Sequence, residues 1–509
     1  MIRTKLLLLF LLFSFLGQAQ ITDLKKLSSG KFYSSDIIKD SNNNIKGYFY
    51  LFETDKVSKE TFQLEYVVLD ENLTKVTSGF ITEMKFESWL IDAKSIKVKV
   101  MLNNNKLLIR FTDDFGQGGV EGYGRYRILD LQTNKLSDPF IFNHDKLVLN
   151  PTFDRKMKNY KNNFSHDISF YNEAGLIVNC IETNEVTKKE NYYLALFDDN
   201  YKQVWKIEYE NGTNKKSTKS LKYLNSDKDV IVMFNHVCKN WSKYLNDFSV
   251  LMYDAKKGTL ITEFLFPNIT EYTYKVVDVK ITEKEVILLG NLSAKSEFGF
   301  TNDTDNIGLF SYKLDKLTGK ILDKKELFWK DIAGQLNINA KGKIKDEGYI
   351  YIHNILSLSD GRTIAICEAF YQDPITVNNI YFLELSKDFK LVQIFVVDKF
   401  KNKFPRTLAH SDTIKLYGLF DFMDYQNLGD DEFLFFFNDN EKNSRNRKKS
   451  TLYGIVSFSE GKFKRQTLNL KTETSTIIAF PSKKGYMTLI ENFDEKDKPS
   501  EIRLEKINY

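Results

Sequence analysis

Eight short apolar runs in this chain each end on a polar residue able to bind or react. GYFYLFE ends on Glu53, KLLIRFTD on Asp113, GLIVNCIE on Glu182 and DVIVMFN on Asn235. EVILLGN ends on Asn291, RTIAICE on Glu368, IKLYGLFD on Asp421 and GYMTLIE on Glu491. Six of the eight are carboxylates. Gathered into one ring, like charges repel unless they are solvated, paired or bound to a cation. One reading is therefore a negatively lined mouth for a cation, sugar hydroxyls or a basic peptide. The other is that each residue caps its own strand or bonds to a neighbouring unit. A pair of these acids held about 6.5–9.5 Å apart would also suit an inverting glycosidase.

Other chemistry finds little support. GxSxG, HExxH, CxxC and Walker A patterns are absent. GQGGVEGYG (116–124) misses the dinucleotide fingerprint because Glu121 stands where its third glycine belongs. His144, His166, His236, His353 and His410 lack metal-ligand spacing. Asp303, Asp305 and Gly308 resemble the start of a calcium loop, but Ile307 and Leu314 occupy positions that need oxygen ligands. No cofactor is expected, and a structural Ca2+ at that turn is the one candidate. Cys180, Cys238 and Cys367 are too few for a disulfide framework. Cys180 and Cys367 read as buried small hydrophobes, and a single bridge through Cys238 stays open.

The elements that would position these residues repeat along the chain. YVVLDENLTKVTSGF, YRILDLQTNKLSDPFIF, LALFDDNYKQVWKIEY, VLMYDAKKGTLITEFLF and SYKLDKLTGKILDKKELF are hairpins turning at Asp70, Asp130, Asp198, Asp254 and Asp315. Their separations are 60, 68, 56 and 61 residues. Asp, Asn and Gly suit such turns by tolerating positive φ or bonding back to their own backbone. Each hairpin follows one of the eight runs above, and a further strand usually precedes the run, as in SIKVKVML, HDISFY, SLKYLN and YKVVDVK. A unit is thus four antiparallel strands. Apolar stripes of helical period are few, and ITEMKFESWLID (81–92) is the best helical candidate.

Repeated four-stranded units predict an all-β fold, a β-propeller of eight blades with seven as the alternative. Both faces of each blade are buried, which explains runs such as LFFF and IVMF that do not alternate with polar residues. The last unit, from Ser475, has only three strands, so a strand near Asp23–Tyr33 is expected to complete it and close the ring through both termini. Segments 329–347 and 422–450 are the main irregularities, and the basic stretches at 155–161 and 445–449 read as solvated loops. In layout the chain resembles secreted β-propeller proteins of Gram-negative bacteria, without WD40 or kelch signatures.

Composition bounds the partners. The chain has 509 residues, 42% hydrophobic and 14% aromatic, which excludes disorder. Its net charge of +5 is too small to argue for nucleic acid. MIRTKLLLLFLLFSFLGQAQ reads as a secretory signal (1–19), with a core too short to span a bilayer. Residues 20–509 then form one exported propeller domain, periplasmic or secreted, with no transmembrane segment. Seven N-x-[ST] sequons, at Asn72, Asn163, Asn211, Asn240, Asn268, Asn291 and Asn302, matter only in a host that glycosylates them.

The expected function is a non-enzymatic scaffold binding a glycan, peptide or protein partner at its loop face. Phe115, Tyr123, Trp241, Tyr244, Phe298, Phe300, Phe370, Tyr371, Phe422 and Tyr425 lie beside those loops as stacking platforms or as packing. A polysaccharide hydrolase or lyase using mouth carboxylates, and a structural component of an envelope assembly, are the alternatives.

Overall fold

The computed structural model describes residues 21–507 except 24–26, 41–43, 58–60, 85–94, 115–124, 144–145, 150–165, 172–174, 184–189, 199–201, 210–217, 241–244, 268, 270, 295–305, 405–410, 417, 440–449, 472–474 and 494–500. Within them, the strands form eight antiparallel sheets. In chain order these are blade 1 (31–84), blade 2 (95–149), blade 3 (166–209), blade 4 (218–265), blade 5 (272–328), blade 6 (343–403), blade 7 (422–471) and blade 8 (475–506 with 21–23). Six sheets have four strands; blades 2 and 6 carry two small extra ones each. Eight sheets exclude the seven-bladed alternative.

Strand alternation explains how one chain builds this array. In the second strand of blade 1 (Ile45–Lys56), Phe49 and Leu51 pack with Ile96, Val98 and Val100 of blade 2. Tyr48, Tyr50 and Phe52 point the other way and pack with Ile502 and Leu504 of blade 8. Blade 7 repeats the device: Phe433, Phe435 and Phe437 face blade 6, while Leu434 and Phe436 face blade 8. Further clusters join blades 2 and 3, 3 and 4, 4 and 5, and 5 and 6. Each neighbouring pair of sheets therefore shares its own apolar core. This is why the runs are apolar at successive positions rather than at every second one.

The repeated aspartates act as turn organisers. Asp70, Asp130, Asp254 and Asp315 each accept two backbone N–H groups of the following turn at 2.7–3.2 Å. Among the described residues, Asp198 accepts the N–H of Lys202 at 2.9 Å. The turns then pass through positive φ at Leu73, Asn134, Gly258 and Gly319, which is why Asn or Gly recurs there.

Several expectations are corrected. The strand completing blade 8 is Ile21–Asp23, paired antiparallel with Glu501–Arg503; residues 31–39 instead open blade 1. The proposed helix at 81–92 begins as strand, since Lys75–Met84 is the outer strand of blade 1; the rest lies outside the described residues. Most of 422–450 is regular, forming strands Phe422–Gly429 and Glu432–Asn438. Segment 329–347 is irregular, with a 3-10 turn at Trp329–Ile332 and a helical turn at Ala333–Leu336 that bury Trp329 and Leu336 against blade 6. IKLYGLFD is not a strand. Ser411–Leu416 is helical, and Ile414 is buried against Phe370, Ile375 and Val377 at the end of blade 6. A short apolar run does not distinguish strand from helix by periodicity.

Among the described residues no helix is long and apolar enough to cross a membrane. The signal segment, Gly116–Gly124, and Asp303 and Asp305 lie outside them.

Candidate functional site

The first strands of successive blades pack side by side, which places them innermost. In blades 1, 4, 5, 6 and 7 this strand carries an extra residue, at Tyr33, Leu224, Val277, His353 and Met423. A bulge of this kind re-aims side chains. At blade 6 it delivers His353 to Glu368 on the adjacent second strand, Nε2 to Oε2 3.0 Å.

Glu368 is the centre of a buried network. Its carboxylate also accepts the backbone N–H groups of Asp421 and Phe422, both at 3.1 Å. Lys399 Nζ lies 3.4 Å from Glu368 and 2.6 Å from Asp421, with all three side chains inaccessible to solvent. Asn402 Nδ2 donates to Asp421 at 2.5 Å. Burial pushes the Glu368 carboxyl up, but the Lys399 charge, the His353 hydrogen bond and the Phe422 N–H together hold it below the usual carboxylate range. Burial pushes His353 down, against the pull of Glu368, and the rings of Tyr351, Phe420 and Phe422 surround it within 5.0 Å. The imidazole is accordingly neutral at pH 7.

His353 also lines a cavity of about 300 Å3 between the inner strands of blades 4, 5 and 6 and the helix Ser411–Leu416. Asn291, Ser293 and Asn306 form its polar wall, and Lys222, Lys275 and Lys415 bring charge to it. The three wall residues are nearly buried. Asn291 Nδ2 donates to Ser293 Oγ at 3.0 Å, and Asn306 Oδ1 accepts the Gly308 N–H at 3.2 Å. With its amide nitrogen so committed and its side chain buried, Asn291 is not an accessible glycan-attachment site.

Seven of the eight ring candidates lie on second strands, at the end where the inner strands begin. Lys31 opposes Glu53, Ile96 opposes Asp113, Leu221 opposes Asn235, Lys275 opposes Asn291, Tyr351 opposes Glu368 and Ile477 opposes Glu491. Glu182 pairs with Asn191. Asp421 is the exception: it precedes the first strand of blade 7, and Asn438 ends that blade's second strand. Glu368 and Asp421 are brought together, through Lys399. Asn291 lies apart from them, on the cavity wall. Asn235 donates to Ser249 at 2.8 Å, and Glu491 accepts from Ser475 at 2.6 Å and from Arg503 at 2.8 Å. Glu53 is half-buried. The side chains of Asp113 and Glu182 lie outside the described residues. Among the aromatics, Phe370 and Phe422 are buried packing residues, while Phe115, Tyr123, Trp241, Tyr244, Phe298 and Phe300 lie outside the described residues. Cys367 is a buried free thiol, pushed well up by desolvation.

A second polar set was not singled out from the sequence. Directly after the bulged residue the inner strands place Asn225, Asp278, Asn354 and Asp424. Asn225 Nδ2 donates to the Val279 carbonyl of the next blade at 2.6 Å, and Asp424 pairs with Lys39 of blade 1 at 2.6 Å. The available signal was two apolar residues followed by Asn or Asp, as in Val276-Val277-Asp278 and Phe422-Met423-Asp424. A bulge shifts the pleat by one residue, so alternation-based reading passes over it.

Burial pushes the Asp278 carboxyl up to about 6, offset in part by the Val279 N–H. The folded pKa exceeds the unfolded value, so its contribution to stability is complete below the unfolded pKa and is lost as pH rises through about 6. Asp278→Asn should therefore stabilise the protein by up to about 3 kcal/mol at pH 8 and little at pH 4. Denaturant unfolding at both pH values checks this; an equal change at each would refute it.

No curated protein matches the chain. Among solved structures, the Dos1 propeller aligns at TM-score 0.41 and 10% identity, over 93% of this chain and 95% of that one. A eukaryotic initiation factor aligns at TM-score 0.39 and 10% identity, over 94% and 89%. A europium-containing methanol dehydrogenase aligns at TM-score 0.39 and 9% identity, over 95% and 94%. Likeness at this level carries nothing about activity. A family model does match, over residues 1–375 and 369–508. The chain, an eight-bladed propeller arrangement, belongs to the family of unknown function DUF6770.

Proposed function

We propose that the protein is an exported binding scaffold: a signal peptide at 1–19, then a single propeller at 20–509 whose ring is locked by the Ile21–Asp23 strand on the last blade. It holds a glycan, peptide or protein partner and performs no catalysis of its own. The central cavity is the binding site, in place of the acidic mouth expected from the eight run-ending residues. The observation that carries this reading is the contrast between the cavity and the network behind it. The cavity wall presents Asn291, Ser293 and Asn306, already fixed in position. The two acids that converge beside it are spent on Lys399 with no solvent access, which leaves them unsuited to proton transfer. Pre-positioned polar groups around a concave, partly open cavity are what a recognition site requires.

Val276 lines the cavity and is only partly buried. Val276→Phe should fill the space and weaken any ligand found by screening residues 20–509 against glycan and peptide panels by about tenfold or more. Unchanged affinity in a variant with an unaltered melting temperature would move the site elsewhere.

A further inference from the structure

We propose that His353 is the residue by which the cavity reads its ligand: the imidazole presents Nδ1 as a fixed hydrogen-bond acceptor, and the ligand is a sugar with a hydroxyl that donates to it. This deepens the reading of the cavity as the binding site and rests on it.

The tautomer follows from the network behind the ring. Lys399 Nζ and the backbone N–H groups of Asp421 and Phe422 all face Glu368, and all three are donors. Three donors favour an ionised carboxylate, which can only accept. The 3.0 Å contact between Glu368 Oε2 and His353 Nε2 therefore places the proton on Nε2. A neutral imidazole carries one ring proton, so Nδ1 keeps its lone pair. Burial holds the ring neutral against the pull of Glu368.

The ring is also held in place. His353 is the extra residue of a bulge, with Ile352 opposite Cys367 and Asn354 opposite Ile366 on either side of it. Phe420 and Phe422 pack on it at 5.0 and 4.9 Å, and turning the imidazole over would forfeit the Glu368 bond. Nε2 is thus committed to the interior, while the same ring forms part of the cavity wall. Among the described residues Nδ1 has no hydrogen-bond partner. Glu368 and Lys399 are positioning residues that act through His353.

A fixed acceptor selects a donor. Asn291, Ser293 and Asn306 share the cavity wall with His353, and their side chains both donate and accept, as sugar hydroxyls do. The Tyr351 ring, 5.0 Å from that of His353, adds an apolar surface for the C–H face of a sugar. A volume of about 300 Å3 sits at the lower end of ligand pockets and suits one or two sugar rings.

The test uses residues 20–509 labelled with 15N at histidine. In long-range 1H–15N spectra His353, assigned by its loss in His353→Leu, should show a protonated Nε2 and a pyridine-like Nδ1. A protonated Nδ1 overturns the acceptor assignment whatever the cavity binds. Calorimetric titration with glucose, galactose, mannose and N-acetylglucosamine follows, and at least one should bind with a Kd below about 10 mM. One monodeoxy form of that sugar should bind about tenfold more weakly, and His353→Leu should cost about the same. The two losses should not add, because both delete one bond. His353→Asn gives up the Glu368 contact as leucine does, but keeps an acceptor on the same skeleton, and should hold binding within about threefold of the parent. Additive losses, or asparagine as weak as leucine at matched melting temperatures, would show that His353 does not read the ligand; sugar binding still weakened by Val276→Phe would then leave the cavity reading in place. If no sugar binds but a peptide does, and Val276→Phe weakens it, the ligand class is wrong and the cavity stands. If Val276→Phe changes nothing, both readings fall.

Discussion

Lys399→Met is expected to destabilise the protein by about 3–5 kcal/mol at pH 7, the usual consequence of breaking a buried ion pair from one side. Lys399 is the only cation within salt-bridge distance of Glu368 and Asp421 among the described lysines and arginines, and neither acid reaches solvent. Methionine keeps the aliphatic length and removes the charge. Among the described contacts, Glu368 keeps His353 and two backbone N–H groups, and Asp421 keeps Asn402. The pH dependence supplies a signature that simple loss of packing would not. In the parent, Glu368 is held low, so its contribution is present above the unfolded pKa and lost as pH falls through the folded one. Without Lys399, burial dominates and the Glu368 pKa rises above the unfolded value. Its contribution then diminishes as pH rises, and the gap between variant and parent narrows towards acid pH. Denaturation measured at pH 5 and pH 8 distinguishes these cases. A deficit that does not change with pH would mean that Lys399 acts through its stem alone. Adding Glu368→Gln should recover part of the loss, because a neutral amide is cheaper to bury than an unpaired carboxylate.

Glu83→Gln should cost about 3 kcal/mol or more, by the same principle with the charges reversed. Glu83 lies one residue before the end of the outer strand of blade 1 and is buried between two arginines of blade 2, 3.2 Å from Arg125 Nε and 2.7 Å from Arg127 Nε. Arg127 is further held by the carbonyls of Thr82 and Ser137, so the side chain cannot swing to water without losing three partners. The contact crosses the seam between two blades, where it adds charge pairing to the hydrogen bonds that Asn134 makes with Tyr66 and Ser78. The variant should lower the unfolding midpoint and raise hydrogen exchange in blades 1 and 2 before blades 5 and 6, because a stacked array loses stability nearest the broken interface. Uniform loss of protection across all eight blades would show that the seam does not govern local opening.

Much of the architecture could be read from the chain. The aspartate-centred hairpins, the count of eight and the three-stranded final unit all follow from local chemistry. A turn needs its own N–H groups satisfied, and a blade buried on both faces needs apolar residues at consecutive positions. The site was less legible. Glu368 and Asn291 stand out by their place at strand ends; Asn291 lines the cavity, and Glu368 lies behind it through His353. Lys399, Asn402 and His353 do not, because nothing in their sequence neighbourhood marks a lysine in a loop or a histidine at a bulge. Asp421 reads in the sequence as the end of a strand; in the fold it lies beyond a helix, and its backbone N–H meets Glu368.

The division follows from whether an interaction recurs along the chain. Strand, turn and blade number depend on contacts within about 70 residues and recur in every unit, so repetition in the chain exposes them. Charge pairing does not recur. Lys399 meets Glu368 from 31 residues away and Asp421 from 22, and the cavity lysines come from three elements that only the circular arrangement of blades brings together. The electrostatic character of the centre was therefore decided by tertiary structure. It placed two of the run-ending acids, Glu368 and Asp421, as buried partners of Lys399, behind a cavity lined by Lys222, Lys275 and Lys415.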